Sequence, residues 1–220
     1  MSIPLNKIQA FDETLKKYKV STNRELVNVV QLNIGKKCNQ ACAHCHVNAG
    51  PTRTEEMTIQ TIDRILNLLK LSGNIQTVDI TGGAPELNEN FEYLLTKLRE
   101  LNVNIIDRCN LSVLFEKGQE NTASLLAKNK VTVIASLPCY TEDNVDLQRG
   151  KNTYKKSILA LKLLNELGYG RDGSGLILNL VFNPLGTYLP TQQQELELEY
   201  PKLEGSIPAL IQELKESTGK

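Results

Sequence analysis

Apolar residues along this chain fall into two alternating rhythms, near-continuous runs and stripes spaced three or four apart, and the alternation predicts an architecture. Ile8, Phe11, Leu15 and Tyr18 form the first stripe and predict an amphipathic helix over 6–18 that packs on the outside of the domain. Leu26, Val27, Val29, Val30, Leu32 and Ile34 then predict a strand over 25–34, with both faces covered. Ile59, Ile62, Ile65, Leu66 and Leu69 share one face of a helix expected over 58–71, with Thr58 as N-cap and Gly73 as C-cap. A short strand over 77–81 runs into Gly82-Gly83-Ala84-Pro85-Glu86, and Phe91, Leu94, Leu95 and Leu98 predict a helix over 91–101. The alternation continues with strands over 103–107, 131–136 and 176–182, separated by helices over 122–128 and 154–167. Beyond Pro184, Thr191 caps a helix expected over 192–200, and a last amphipathic turn is expected over 208–215.

Strands alternating with helices imply right-handed parallel βαβ units. The expected fold is therefore α/β: a partial TIM-like (β/α) barrel of about five parallel strands, because a complete eight-unit barrel usually takes about 250 residues and the chain has 220. One domain is expected over 1–200, followed by a compositionally different helical tail over 201–220. In such folds the chemistry gathers in loops at the C-terminal ends of the strands.

Charge narrows the function. The 25 basic residues balance 25 acidic ones, so no basic field points to nucleic acid, and a small or weakly charged substrate is the easier fit. The first twenty residues lack the apolar block of a signal peptide and no stretch is long enough to span a membrane, so the expected location is cytoplasmic. Five cysteines, an odd number, fit a metal site or reactive thiols better than a disulfide framework.

Three of those cysteines and both histidines lie in one loop, Cys38-Asn39-Gln40-Ala41-Cys42-Ala43-His44-Cys45-His46, immediately after the first strand. Thiolates suit zinc and iron–sulfur clusters. Cys38, Cys42 and Cys45 with His44 or His46 make a possible Cys3His zinc site. The same three thiols on a cubane cluster would leave one iron open to a ligand.

Cys38-x-x-x-Cys42-x-x-Cys45 after the first strand, with Thr81-Gly82-Gly83-Ala84-Pro85 after the second, resembles the radical S-adenosylmethionine superfamily. The resemblance implies a radical SAM core in which the three cysteines hold a 4Fe-4S cluster and S-adenosylmethionine chelates the open iron. It places His44 near the adenosyl moiety and brings the Thr81, Gly82 and Gly83 backbone to the methionyl amino group. Further stretches, Ile106-Asp107-Arg108-Cys109-Asn110-Leu111, Ser136-Leu137-Pro138-Cys139-Tyr140, Gln148-Arg149-Gly150 and Asn179-Leu180-Val181-Phe182-Asn183-Pro184, are similar to the arsenosugar biosynthesis proteins of that superfamily. That similarity implies transfer of a 5′-deoxyadenosyl group to a trivalent methylated arsenical. The implied partners are the arsenical and an electron donor such as flavodoxin or ferredoxin.

Cys109 and Cys139 follow the third and fourth strands, so both are expected at the barrel mouth, where soft thiols could hold soft arsenic. Buried inert thiols are the competing expectation. Ser136, Asn179 and Asn183 are expected to reach the cofactor. Asp107 with Arg108 is expected as an ion pair, Glu86 as a helix cap, His46 as a hydrogen-bonding support for its loop, and Arg149 in a solvated loop unless it binds a carboxylate. Other expectations are a radical SAM enzyme acting on another small or peptide-derived substrate, and a non-catalytic fragment holding zinc or a cluster. The family's sixth strand and cysteine-bearing C-terminal motifs are not found after Tyr200, which predicts an exposed edge on the last strand and weaker S-adenosylmethionine binding than in a complete barrel.

Overall fold

The computed structural model describes residues 11–23, 26–139, 141–182 and 192–195. Five strands, β1 (Val29–Asn33), β2 (Thr77–Thr81), β3 (Asn104–Asp107), β4 (Thr132–Ser136) and β5 (Leu178–Val181), form one sheet in sequence order. Every neighbouring pair is parallel. The α/β expectation of about five parallel strands is met, and the sheet is open among the described residues. The helices are α1 (Phe11–Tyr18), α2 (Ile59–Ser72), α3 (Phe91–Glu100), α4 (Thr122–Lys128), α5 (Glu142–Arg149) and α6 (Thr153–Glu166). Among the described residues, no helix is long and apolar enough to cross a membrane.

Local signals explain most of these elements. Thr58 caps α2, its hydroxyl accepting from the Thr61 N–H, and Gly73 closes the helix in the left-handed conformation, as its missing side chain permits. The stripes Ile62, Leu66, Leu69 of α2 and Phe91, Leu94, Leu95, Leu98 of α3 join the sheet in one apolar core. By contrast, α1 buries none of its eight residues, so its expected packing contact is not made among the described residues. Helix α5 occupies a segment expected to be a loop. Its sequence carries few apolar residues, and the turn after it is fixed by the Asp146 carboxylate, which accepts from the Asn152 and Tyr154 N–H groups at 2.6 and 2.9 Å. The expected turn over 208–215, the tail over 201–220, Asn183 and most of the helix over 192–200 lie outside the described residues.

Register assigns each strand residue to a face, because neighbours across a parallel ladder project the same way and successive residues alternate. One row runs Leu32, Ile80, Asp107, Val133, Leu178 across all five strands. All five are at most 7 % exposed and Asp107 is the single polar member. The adjacent row, Gln31, Asp79, Ile106, Thr132, lies on the other face and is less covered.

Candidate active site

The loop between β1 and α2 is held to the end of β1 by its own backbone. Lys36 N–H donates to Glu55 O at 2.8 Å, Gly50 N–H to Lys36 O at 3.0 Å, Cys38 N–H to Gly50 O at 3.2 Å and Met57 N–H to Ile34 O at 2.9 Å. These bonds close the segment over 35–57 into a folded loop with Cys38 at its base and Cys42 and Cys45 further out. Cys38 is 6 % exposed, and the other two thiols are half-buried. Burial pushes the Cys38 thiol above its ordinary pKa. Opposing that, the Gln40 N–H and the Asn110 side-chain amide donate to its sulfur at 3.4 and 3.5 Å. Ala49 N–H donates to the Cys45 sulfur at 3.3 Å, whereas the Cys42 thiol reaches the Gln40 side-chain oxygen at 3.4 Å. N–H donors aimed at sulfur would hold and orient a metal-bound thiolate.

The donor set separates the two metals left open by the sequence. Tetrahedral zinc with Zn–S of about 2.3 Å would gather its sulfurs to about 3.8 Å from one another. Among the described residues, the group of three or more His, Cys, Asp or Glu ligand atoms within 4.8 Å of one another is Glu86, Asp107 and Cys109, not the loop thiols. The Cys38, Cys42 and Cys45 sulfurs do not all lie within that distance of one another, a spacing compatible with thiolates serving three different irons. The residues fit an iron–sulfur cluster.

The loop after β2 is stitched to this one. Gly83 N–H donates to Gly35 O at 2.9 Å and Ala84 N–H to Lys37 O at 2.8 Å. A Cβ on Gly83 would lie 2.3 Å from Lys37 O, and one on Gly82, at φ 148°, would lie 2.6 Å from Gly35 O. The glycines thus let two backbones meet, and the Gly82 and Gly83 carbonyls are left without a backbone donor among the described residues. Thr81 ends β2, half-buried, and Ala84 is buried.

A polar network that sequence reasoning missed lies under the cysteine loop. Asn110 donates to Cys38 Sγ and, at 2.7 Å, to Asn39 Oδ1. Asn39 and Gln40 both donate to Ser112 Oγ, at 2.9 and 2.6 Å. The available signal was an Asn directly after a strand-end cysteine. Asn110→Ala is expected to lower apoprotein stability by about 1–3 kcal/mol, since it strands buried partners, and to speed iron loss to a chelator; urea titration and iron assay check it.

Arg108 pairs with Asp79, not with Asp107. Its guanidinium makes contacts of 2.8, 3.1 and 2.8 Å to that carboxylate, which also accepts from Gln31 at 3.0 Å. The reason is alternation: Asp107 and its successor face opposite ways. Arg149 ends α5, buried, and donates to the Ser136 carbonyl; it is not the solvated arginine expected, and no carboxylate pairs it among the described residues. It also bears on His44, an exposed imidazole held below its usual pKa by burial first, then by Arg149 and His46. Asn179 is half-buried beside Ile134 in the β4–β5 register. His46 is exposed and makes no hydrogen bond with the described residues.

Glu86 caps no helix: Asn90 holds the N-cap position of α3, while Glu86 is 4 % exposed beside Asp107 and Cys109. Burial pushes the Glu86 and Asp107 carboxyls and the Cys109 thiol above their usual ranges. The structure does not bring Cys109 and Cys139 to a common partner. Cys109 is fully buried and accepts from Leu111 N–H at 3.2 Å, whereas the Cys139 sulfur, 7 % exposed, meets Thr141 Oγ1 at 3.4 Å and Asn144 Nδ2 at 3.5 Å.

Residues 32–183 match the model of the Radical SAM superfamily. Among curated proteins the chain is similar to the antilisterial bacteriocin subtilosin biosynthesis protein AlbA of Bacillus subtilis (strain 168), 26 % identical over 137 residues, which is 60 % of this chain and 29 % of that protein. Among solved structures it resembles Streptococcus suis SuiB bound to S-adenosylmethionine, with TM-score 0.59 and 21 % identity, covering 87 % of this chain and 40 % of SuiB. It also resembles anSMEcpe with bound AdoMet, with TM-score 0.54 and 17 % identity, covering 87 % and 61 %. The chain thus spans less than two thirds of each of these relatives.

Proposed function

The chain belongs to the radical SAM superfamily, whose members use a 4Fe-4S cluster and S-adenosylmethionine, and we propose that it uses both to add a 5′-deoxyadenosyl group to a trivalent methylated arsenical. The observation that carries this reading is convergence. The cysteine loop, the Gly82-Gly83 loop and the Cys109-Asn110 segment, which carry the sequence resemblance separately, meet through hydrogen bonds around Cys38.

In this reading Cys38, Cys42 and Cys45 would hold the cluster, and the bound pair would supply reductive cleavage of the cofactor's sulfonium at the 5′ carbon. The chain's own residues bind and orient. The Gly82 and Gly83 carbonyls accept from the methionyl amino group. Arg149, buried beside Ser136 without a carboxylate partner among the described residues, takes the methionyl carboxylate. Thr81 and Asn179 serve the remaining polar edge of the cofactor, and His44, uncharged, lies along the adenosyl group. A flavodoxin- or ferredoxin-class donor would deliver the electron that cleaves the cofactor, methionine would leave, and the one electron given up as trivalent arsenic becomes pentavalent would pass back to the cluster. Cys139 is the thiol that positions arsenic; Cys109, enclosed among carboxyls, is left out of that role.

Arg149→Ala is expected to weaken S-adenosylmethionine binding about 10- to 100-fold, the worth of a charge-assisted hydrogen bond, measured by calorimetry on cluster-loaded protein. Cys139→Ser is expected to keep 5′-deoxyadenosine formation while losing the arsenic adduct.

The deciding assay reconstitutes the protein anaerobically, adds reductant, S-adenosylmethionine and dimethylated trivalent arsenical, and seeks an adenosyl–arsenic adduct by mass spectrometry. 5′-Deoxyadenosine without the adduct removes arsenic as substrate. Zinc in place of iron and sulfide removes the radical chemistry. The second reading, a peptide substrate, has its support in the similarity to AlbA and in the fold shared with SuiB, also solved bound to precursor peptide SuiA.

A further inference from the structure

Asp107 sits where every other member of its sheet row is apolar. Its carboxylate faces Glu86, carried by the short 3-10 turn after β2, and Cys109, two residues past its own position, and one ligand atom from each lies within 4.8 Å of the other two. Asp107 and Cys109 are fully buried and Glu86 is 4 % exposed. All four carboxylate oxygens are enclosed and have no hydrogen-bond partner outside this cluster, within which Glu86 can share a proton only with Asp107 or Cys109. The nearby cation offers no relief, because Arg108 is turned to Asp79.

Two enclosed carboxyl groups with no donor beyond each other and a thiol are costly to bury. A protein that places both against a thiol in a buried, otherwise apolar setting has supplied ligand atoms with no cation beside them. Glu86 also belongs to the wall of a cleft of about 550 Å³, lined further by Asn88, Glu89, Glu92, Gln119 and Lys128, so a single residue layer joins the cluster to that cleft. The Leu111 N–H that meets the Cys109 sulfur sets a donor on the outer side of that ligand.

We propose that Glu86, Asp107 and Cys109 form a divalent-cation site of their own, distinct from the cysteine loop and taking a borderline ion of the zinc or ferrous class. Two oxygens and a sulfur suit such an ion better than magnesium or calcium, which prefer oxygen alone, and a second oxygen of either carboxylate completes the coordination. Its role is structural. Glu86 lies two residues past Ala84, whose N–H grips Lys37 O, and Cys109 immediately precedes Asn110, whose amide grips Cys38. One ion therefore ties together both segments that support the cluster loop.

The test uses the full chain with its iron–sulfur cluster reconstituted, exposed to zinc and then desalted. One retained zinc per chain is expected, with iron and sulfide unchanged. Zinc should also raise the thermal midpoint of this protein. Glu86→Gln and Cys109→Ala should each weaken zinc retention by about tenfold or more and abolish the thermal shift, while keeping the iron content; the second variant leaves an apolar group in an apolar layer and so guards against misfolding. No retained zinc in the unaltered protein overturns the proposal, as does zinc held equally well by Cys109→Ala. An infrared band of protonated carboxylic acid that persists in excess zinc and vanishes in Glu86→Gln also overturns it, by showing that protons neutralise the pair.

Discussion

Alanine at any one of Cys38, Cys42 or Cys45 reduces iron and sulfide in the reconstituted protein to background, and 5′-deoxyadenosine formation falls with them. The expectation follows from having one thiolate per iron and no substitute within reach. His44 and His46 are exposed, and the remaining thiols are engaged elsewhere, Cys109 beside Glu86 and Asp107 and Cys139 beside Thr141. The three variants differ in a second readout. Cys38→Ala leaves the Asn110 amide and the Gln40 N–H without their sulfur acceptor in a buried position, so the apoprotein loses about 1–3 kcal/mol relative to Cys42→Ala, whose thiol meets only one side-chain oxygen. Urea titration of the two apoproteins makes the comparison; equal stabilities would show that the hydrogen bonds to Cys38 contribute nothing before iron arrives.

Gly83→Ala is the second large effect. The added methyl would stand 2.3 Å from Lys37 O, 2.8 Å from its carbonyl carbon and 2.9 Å from Lys36 O, all backbone atoms. No rotamer change relieves such a clash, so the two loops must separate and the Gly83 and Ala84 N–H bonds to Gly35 and Lys37 are lost with them. A loss on the order of 3–4 kcal/mol follows, at or above the upper range for overpacking because backbone moves instead of side chain. Cluster retention falls in the same variant, since the strained residues directly precede Cys38. Gly50→Ala is the internal control: a Cβ there meets nothing within 4 Å, and stability and iron content stay near those of the parent. Similar behaviour of the two variants in thermal unfolding would refute the docking role given to Gly83.

Much of this frame is written in the sequence because its signals are local. The apolar run of β2 and the Thr58 and Gly73 signals of α2 need only neighbouring residues, and they end within one residue of where they were expected. The candidate site divides differently. Cys38, Cys42 and Cys45 are conspicuous as a spaced triplet, whereas Asn110 earns its role only when β3 is laid beside β2 and its side chain meets a sulfur 72 positions away. Arg149 was hidden for another reason: α5 buries little beyond Val145, Gln148 and Arg149, so no apolar stripe announces it. Glu86 and Asp107 could not be paired from sequence at all, because their meeting depends on sheet register and on which way each turn leaves its strand.

The sheet's strict sequence order has a consequence for biogenesis. Among the described residues, every hydrogen bond that holds the cysteine loop to its surroundings is made with residues between Ile34 and Glu116. No later strand must be threaded between earlier ones, because β4 and β5 add in turn at the far side of β3. A chain emerging from its N-terminal side can therefore close the whole thiol-bearing cradle while β4 to β5 are still being synthesised. Metal loading and completion of the fold are, in this topology, separable in time.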